Sequence, residues 1–143
     1  MSAVLNRNIC FIGGGNMAQA LIGGLISRGL PSTRITVSDP VEQVRHLLAE
    51  KDLVVTEDNA SAIREADVVV LAVKPQVLAN VLKPLNGLFD GKLIISIVAG
   101  AEIATIAALA GSNRIVRVMP NTPALVQTGA HGLYATEAVD KED

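Results

Sequence analysis

Asn8 to Ala18 reads NICFIGGGNMA, and this stretch decides the fold. A short run of apolar, largely β-prone residues, Asn8 to Ile12, passes directly into Gly13-Gly14-Gly15-Asn16-Met17-Ala18, which fits G-x-G-x-x-A, and then into apolar residues at helical spacing. Strand, tight glycine turn and helix follow in the order that a dinucleotide-binding βαβ unit requires. Each small residue has a physical task there. Gly13 permits the tight turn, Gly15 lets backbone come close to a pyrophosphate, and Ala18 lets the helix lie near the strand. Unpaired N–H groups at the helix start would face the phosphates. An ordinary glycine-rich turn carries the same letters; the position directly after an opening strand is what favours nucleotide binding.

Strand and helix alternate from there onward. Met17, Ala20, Leu21, Gly24 and Leu25 give a helix over 16–28 one apolar face, with Gly29 placed to end it and Pro31 just beyond. Arg34 to Ser38 reads as a second strand, and Asp39-Pro40 closes it and opens a helix that runs to about Lys51. A third strand, Leu53 to Thr56, and a brief helical turn, Asn59 to Glu65, lead to Asp67 to Val73, which is apolar at successive positions and so expected to be covered on both faces. Lys74-Pro75 starts a helix ending near Leu85, Lys92 to Val98 forms a fifth strand, Ala101 to Ala110 a helix and Ile115 to Met119 a sixth strand. Ala130 to Ala135 is a candidate seventh. The expected fold is α/β, a Rossmann-type, doubly wound, mostly parallel sheet with helices on both faces.

At 143 residues, half of them apolar, the chain is long enough for one domain with a real core, and 1–143 reads as a single dinucleotide-binding domain. A formal net charge of −2, scattered basic residues and only Phe11, Phe89 and Tyr134 as aromatics leave neither a basic stripe nor a stacking platform for nucleic acid. Cys10 is the only cysteine, so no disulfide can form within the chain, and its apolar neighbours make it a buried filler. Arg7 stands where a signal peptide needs an apolar core, and no apolar run approaches the roughly 20 residues that span a bilayer. A soluble, cytoplasmic protein without membrane partners is expected.

In doubly wound sheets the ligand lies outside the carboxyl ends of the strands, where strand order reverses. The segments to inspect are 13–18, 38–40, 72–75, 97–100 and 119–123. Asp39 ends the second strand; its carboxylate either accepts hydrogen bonds from an adenosine ribose, favouring NADH over NADPH, or caps the helix that starts at Pro40. Arg34 and Arg45 are near enough in sequence to be considered as phosphate partners. Lys74 follows the buried strand, and either acts as a general acid or snorkels from a loop. His46 and His131 have no metal-ligand spacing with each other or with a carboxylate pair, and no Ser-His-Asp order can be argued. No metal site and no catalytic residue are assigned to this chain; hydride transfer needs little from a protein beyond positioning.

Four segments, FIGGGNMAQALIGGL (11–25), LAVKPQ (71–76), ISIVAG (95–100) and VRVMPNTPALVQTGAHGLY (116–134), are familiar as a set. In this order and spacing they closely resemble the N-terminal domain of the pyrroline-5-carboxylate reductase family, over essentially the whole chain. The resemblance implies a nicotinamide cofactor, NADPH or NADH, held by Ile12, Gly13, Gly14, Gly15, Asn16 and Met17 under the pyrophosphate and by Asn59 near the adenosine, with Asp39 at the ribose on the reading above. Ala72, Val73, Lys74 and Pro75 would run along the nicotinamide side, Ile97, Val98 and Ala99 around the nicotinamide ribose and ring, and Met119, Pro120 and Asn121 beneath the reacting carbon.

Two departures from the family pattern stand out. Family members often carry a small hydroxylated residue where Asp39 stands, to receive the 2′-phosphate of NADPH. Family chains are also nearly twice this length, and their C-terminal half is a helical domain that forms the dimer and binds the substrate carboxylate. On this reading the chain is a cofactor-binding domain whose parent is a homodimer or higher homo-oligomer, reducing the small-molecule substrate L-1-pyrroline-5-carboxylate to L-proline. The rival readings are a small two-domain dehydrogenase of the 3-hydroxyacid type and a non-catalytic module that senses a dinucleotide.

Overall fold

A computed structural model describes residues 7–118 and the backbone of 133–135. One seven-stranded sheet has the order β3-β2-β1-β4-β5-β6-β7. Its strands are β1 (Ile9–Ile12), β2 (Ile35–Ser38), β3 (Val54–Thr56), β4 (Val68–Leu71), β5 (Leu93–Ser96), β6 (Ile115–Val118) and β7 (Leu133–Ala135). The first six pair in parallel and β7 is antiparallel to β6. The doubly wound, mostly parallel sheet expected from the strand and helix alternation is therefore the fold.

Side chains alternate across the sheet and build a core on each face. Ile9 and Phe11 of β1 pack with Ile22 of helix α1 (Asn16–Ser27) and Leu48 of helix α2 (Glu42–Ala49). Cys10 and Ile12 face the other way, onto Ile63 of α3 (Asn59–Arg64), Leu82 of α4 (Leu78–Leu82) and Ile106 of α5 (Ile103–Ala110). β4 lies between β1 and β5 and is buried at all four positions, as its unbroken apolar run demands. Sequence order runs leftward from β1 to β3 and then jumps to β4 on the other side of β1, so the switch point lies between β1 and β4.

The amino edge of the sheet is tied by polar contacts. The Asn8 N–H donates to Asp67 Oδ2 at 2.9 Å, Arg34 Nη1 donates to Asn8 Oδ1 at 3.4 Å, and Lys92 Nζ donates to the Ala66 carbonyl at 2.5 Å.

Two helices differ from expectation. α2 starts at Glu42, two residues after Pro40, because Val41 is extended (φ −88°, ψ 117°) and its N–H donates back to Asp39 Oδ1 at 2.8 Å. The single helix expected from Pro75 to Leu85 is three pieces: a 3₁₀ turn Pro75–Val77, α4, and a 3₁₀ turn Lys83–Leu85 that contains Pro84. Proline lacks the N–H that would continue an α-ladder, and the tighter turns accommodate it at both ends.

Candidate functional site

A cavity of about 760 Å³ opens at the carboxyl edge of the sheet, over the switch point. The glycine turn forms its floor. Gly13 adopts φ +105°, and a Cβ there would lie 2.7 Å from the Ala72 carbonyl oxygen, so the end of β4 overhangs the turn too closely for any side chain. Gly14 is buried, and a Cβ on it would come within 2.9 to 3.1 Å of Leu48, Val44 and Val37. Gly15 is the opposite case: it is exposed, and a Cβ would meet nothing within 4 Å. It is also the N-cap of α1 and provides no side-chain hydrogen bond, so the first N–H groups of that helix lack a side-chain cap. Open space beside uncapped, parallel N–H donors is the local geometry that suits an anion.

Asp39 forms the second wall and reaches into the turn. Its Oδ2 accepts the Gly14 N–H at 2.8 Å and its Oδ1 accepts the Val41 N–H. The carboxylate is therefore not the cap of α2, whose N-cap is Val41. It joins the glycine turn to the β2–α2 loop, and each oxygen retains a lone pair that can face the cavity. Next to it, Ser38 Oγ donates to Asn59 Oδ1 at 2.5 Å, which draws the start of α3 against the end of β2. Asp58 caps α3 through the N–H groups of Ala60 and Ser61.

Of the residues singled out from sequence, Ile12, Gly13, Gly14, Gly15, Asp39, Asn59, Ala72, Val73 and Lys74 line this one cavity. Asn16, Met17 and Pro75 are adjacent to it in sequence and do not line it. Ile97 and Val98 are buried in the core beyond the end of β5, on opposite faces of the sheet, and the exposed Ala99 follows them. Met119, Pro120 and Asn121 lie outside the described residues. Sequence reasoning missed Val41, Glu57, Asp58, Ala60, Val77, Asn80, Val81, Pro84 and Leu85 among the lining residues. Glu57, Asp58 and Ala60 flank Asn59 and were within reach of that inference. The α4 side carried no local signal.

Lys74 is exposed on the lip of the cavity, the only cation among the described lining residues. Cys10 plays no part: burial pushes its thiol up from 9.0 to about 12 despite the opposing pull of Lys92. Among the described residues no group of three or more His, Cys, Asp and Glu could hold a metal, and no helix is long and apolar enough to cross a membrane.

Residues 8–100 match the family model described as NADP oxidoreductase coenzyme F420-dependent. The chain belongs to that family. Within it, this oxidoreductase-family chain is 51% identical over 132 residues to a pyrroline-5-carboxylate reductase of Haemophilus influenzae, covering 91% of this chain and 49% of that one. It is 47% identical over 142 residues to one of Pasteurella multocida, covering 95% and 52%. A solved pyrroline-5-carboxylate reductase from Coxiella burnetii superposes with a TM-score of 0.85 at 39% identity, over 95% of this family member and 52% of that structure. The Plasmodium falciparum pyrroline carboxylate reductase, solved with NADP bound, gives a TM-score of 0.80 at 29% identity, over 96% and 51%. The resemblance read from the four motifs therefore extends along the chain, which spans about half the length of the curated relatives it matches.

Proposed function

We propose that this chain is the cofactor-binding part of a pyrroline-5-carboxylate reductase, which reduces L-1-pyrroline-5-carboxylate to L-proline with NADPH or NADH. The observation that carries the reading is a cavity at the switch point whose floor has room beside Gly15 and uncapped helix N–H groups, in a chain similar to such reductases along 91 to 95% of its length. The turn 13–15 would hold the pyrophosphate, Asp39 and Asn59 the adenosine side, and Ala72 to Lys74 the nicotinamide side. Asn16, Met17, Pro75, Ile97, Val98, Ala99, Met119, Pro120 and Asn121 complete the proposed contact set from the family resemblance.

The reduced nicotinamide supplies the hydride, and a protonated cyclic imine accepts it readily because its positive charge is neutralised in the reaction. What the chain contributes is orientation and exclusion of competing geometries. The protein works in the cytoplasm as a homodimer or higher homo-oligomer on this reading. The test is growth without proline of a bacterium that lacks its own reductase, supplied with the gene encoding this sequence and whatever coding sequence continues it in frame. Growth that depends on an intact Gly13 to Gly15 turn is expected. Failure to grow while the protein accumulates in soluble form overturns the proposal.

A further inference from the structure

Each peptide of the glycine turn is held by a contact from outside it. The Gly13 N–H donates to the Ser38 carbonyl at 2.8 Å, which fixes the peptide joining Ile12 to Gly13. The Gly14 N–H donates to Asp39 Oδ2, which fixes the next. The peptide between Gly14 and Gly15 is held from α1 instead: Gln19 Nε2 donates to the Gly14 carbonyl oxygen at 2.9 Å. Gln19, half-buried in the first turns of α1, reaches back toward the helix start, as long helical side chains do. Its own N–H donates to the Gly15 carbonyl at 2.9 Å, so the backbone it reaches from is tied to the same turn.

We propose that Gln19 is a positioning residue for the cofactor: its side-chain amide latches the Gly14–Gly15 peptide in the orientation that offers the Gly15 N–H to a pyrophosphate. The inference rests on the dinucleotide reading above and deepens it to what keeps the turn ready for its ligand. A trans peptide points its N–H and its C=O in opposite directions, so holding the Gly14 carbonyl against Gln19 turns the Gly15 N–H the other way. Among the described residues that N–H donates to no acceptor. Gly14 and Gly15 both line the cavity, whereas Gln19 does not and acts through them.

A latch is needed because this peptide has glycine on both sides. Counter-rotation about the Gly14 ψ and the Gly15 φ flips such a peptide while the chain around it stays in place, and neither residue has a side chain to oppose the turn. Flipped, the peptide shows the cavity a carbonyl oxygen, which repels a phosphate, where a donor stood. Gly14 is buried and Gly15 exposed, so without Gln19 the Gly14 carbonyl gains a water partner by swinging toward the cavity. The Gln19 bond reverses that preference. NADPH and NADH carry the same pyrophosphate, so the latch sets the affinity for both and discriminates between neither.

The experiment measures dissociation constants for NADPH, NADH and ADP-ribose by calorimetry, and for adenosine, which lacks the pyrophosphate, by NMR titration. Gln19→Met keeps the length and helix propensity of the side chain and removes the donor. It is expected to weaken the three pyrophosphate ligands by one common factor of about five or more, the population a hydrogen bond had secured for the competent turn, and to hold adenosine within about twofold. Gln19→Lys returns a donor to the same reach and is expected to recover most of the loss, also at high salt where attraction between its charge and the phosphates is screened. If the pyrophosphate ligands bind the Met variant as they bind the unaltered protein, if adenosine weakens along with them, or if the Lys variant binds no better than the Met variant at high salt, the latch is not what Gln19 provides and the inference falls alone. If the unaltered protein binds neither NADPH nor NADH, the dinucleotide reading falls and takes this inference with it.

Discussion

The carboxylate of Asp39 and the N–H of Gly14, 25 residues apart in sequence, meet at 2.8 Å and hold the glycine turn to the end of β2. Asp39 is nearly buried at 9% exposure and satisfies a second N–H, that of Val41. Removing the carboxylate strands two donors, and hydrogen bonds to a charged acceptor contribute about 1.5–3 kcal/mol each. Asp39→Ala should lower unfolding stability by about 3 kcal/mol in urea titration. A loss below about 1 kcal/mol would show that water replaces the carboxylate and that the tie is not structural.

Asp39→Ser carries a second expectation. Loss of the turn's anchor should weaken both nucleotides, while removal of a negative charge that is screened less than an exposed one shifts preference toward NADPH by about 1 kcal/mol or more. Paired calorimetric titrations of the variant with NADH and NADPH check this; a preference moving toward NADH would contradict it.

Gly13 and Gly15 should respond oppositely to a side chain. Gly13→Ala combines a left-handed φ with a Cβ 2.7 Å from the Ala72 carbonyl oxygen, and is expected to cost about 2 kcal/mol of stability or more. Gly15→Val has conventional backbone angles and open space around the new Cβ, so stability should change by less than about 1 kcal/mol while nucleotide binding is lost. Thermal melts read with and without NADPH separate the two. Unimpaired binding by Gly15→Val would show that the pyrophosphate does not lie there.

Cys10 supplies a pH dependence. In the unfolded chain its thiol ionises around its ordinary value of 9.0, whereas in the folded protein burial holds it protonated up to about 12. Between those values the unfolded state alone gains by losing the proton, so stability contributed by this group falls as pH rises from about 9. Cys10→Ala should flatten that decline in denaturant melts at pH 8 to 10. A thiol reagent at neutral pH should label Cys10 only as the protein unfolds.

Turnover is a separate matter from binding. The 143-residue chain alone is expected to bind cofactor without reducing pyrroline-5-carboxylate at a useful rate, because the described cavity wall offers Lys74 and no second cation to clamp a substrate carboxylate. Orientation lost in this way is worth roughly 7–11 kcal/mol of barrier. A proline-forming assay at saturating NADPH and NADH, beside a full-length family reductase, tests it; a rate within about tenfold of that enzyme would place the substrate site within these residues.

Much of this architecture is legible from local pattern. The run 68–71 is apolar without interruption because it is paired and covered on all sides, and the glycine turn announces itself because φ, close approach and helix start all act within six residues. What is not legible depends on partners distant in sequence. Asp39 beside Pro40 has the local signature of a helix opening, and only Gly14, across the sheet, turns its side chain to another use. Gly14 itself is a free position in the fingerprint, yet here Leu48 and Val44 of α2, with Val37 of β2, leave no room for a Cβ on it. Likewise Val77, Val81 and Leu85 enter the cavity wall through the way α4 and its flanking turns are laid over the sheet, which no periodicity within that segment encodes.

The polar ties among Asn8, Asp67, Arg34, Lys92 and Ala66 have an evolutionary consequence. They secure one edge of the sheet, and the cavity occupies the other, a strand length of about 13 Å away. Perturbations that far apart, with no shared partner, add rather than interact. The lineage can therefore tune robustness at the amino edge, to a warmer or saltier habitat, without retuning what the carboxyl edge recognises. Drift in ligand preference among the residues of the cavity wall can likewise proceed without eroding the scaffold. Divergent relatives should accordingly vary independently at the two edges, and a chimaera that takes one edge from each of two such relatives should inherit its heat tolerance from one parent and its nucleotide selectivity from the other.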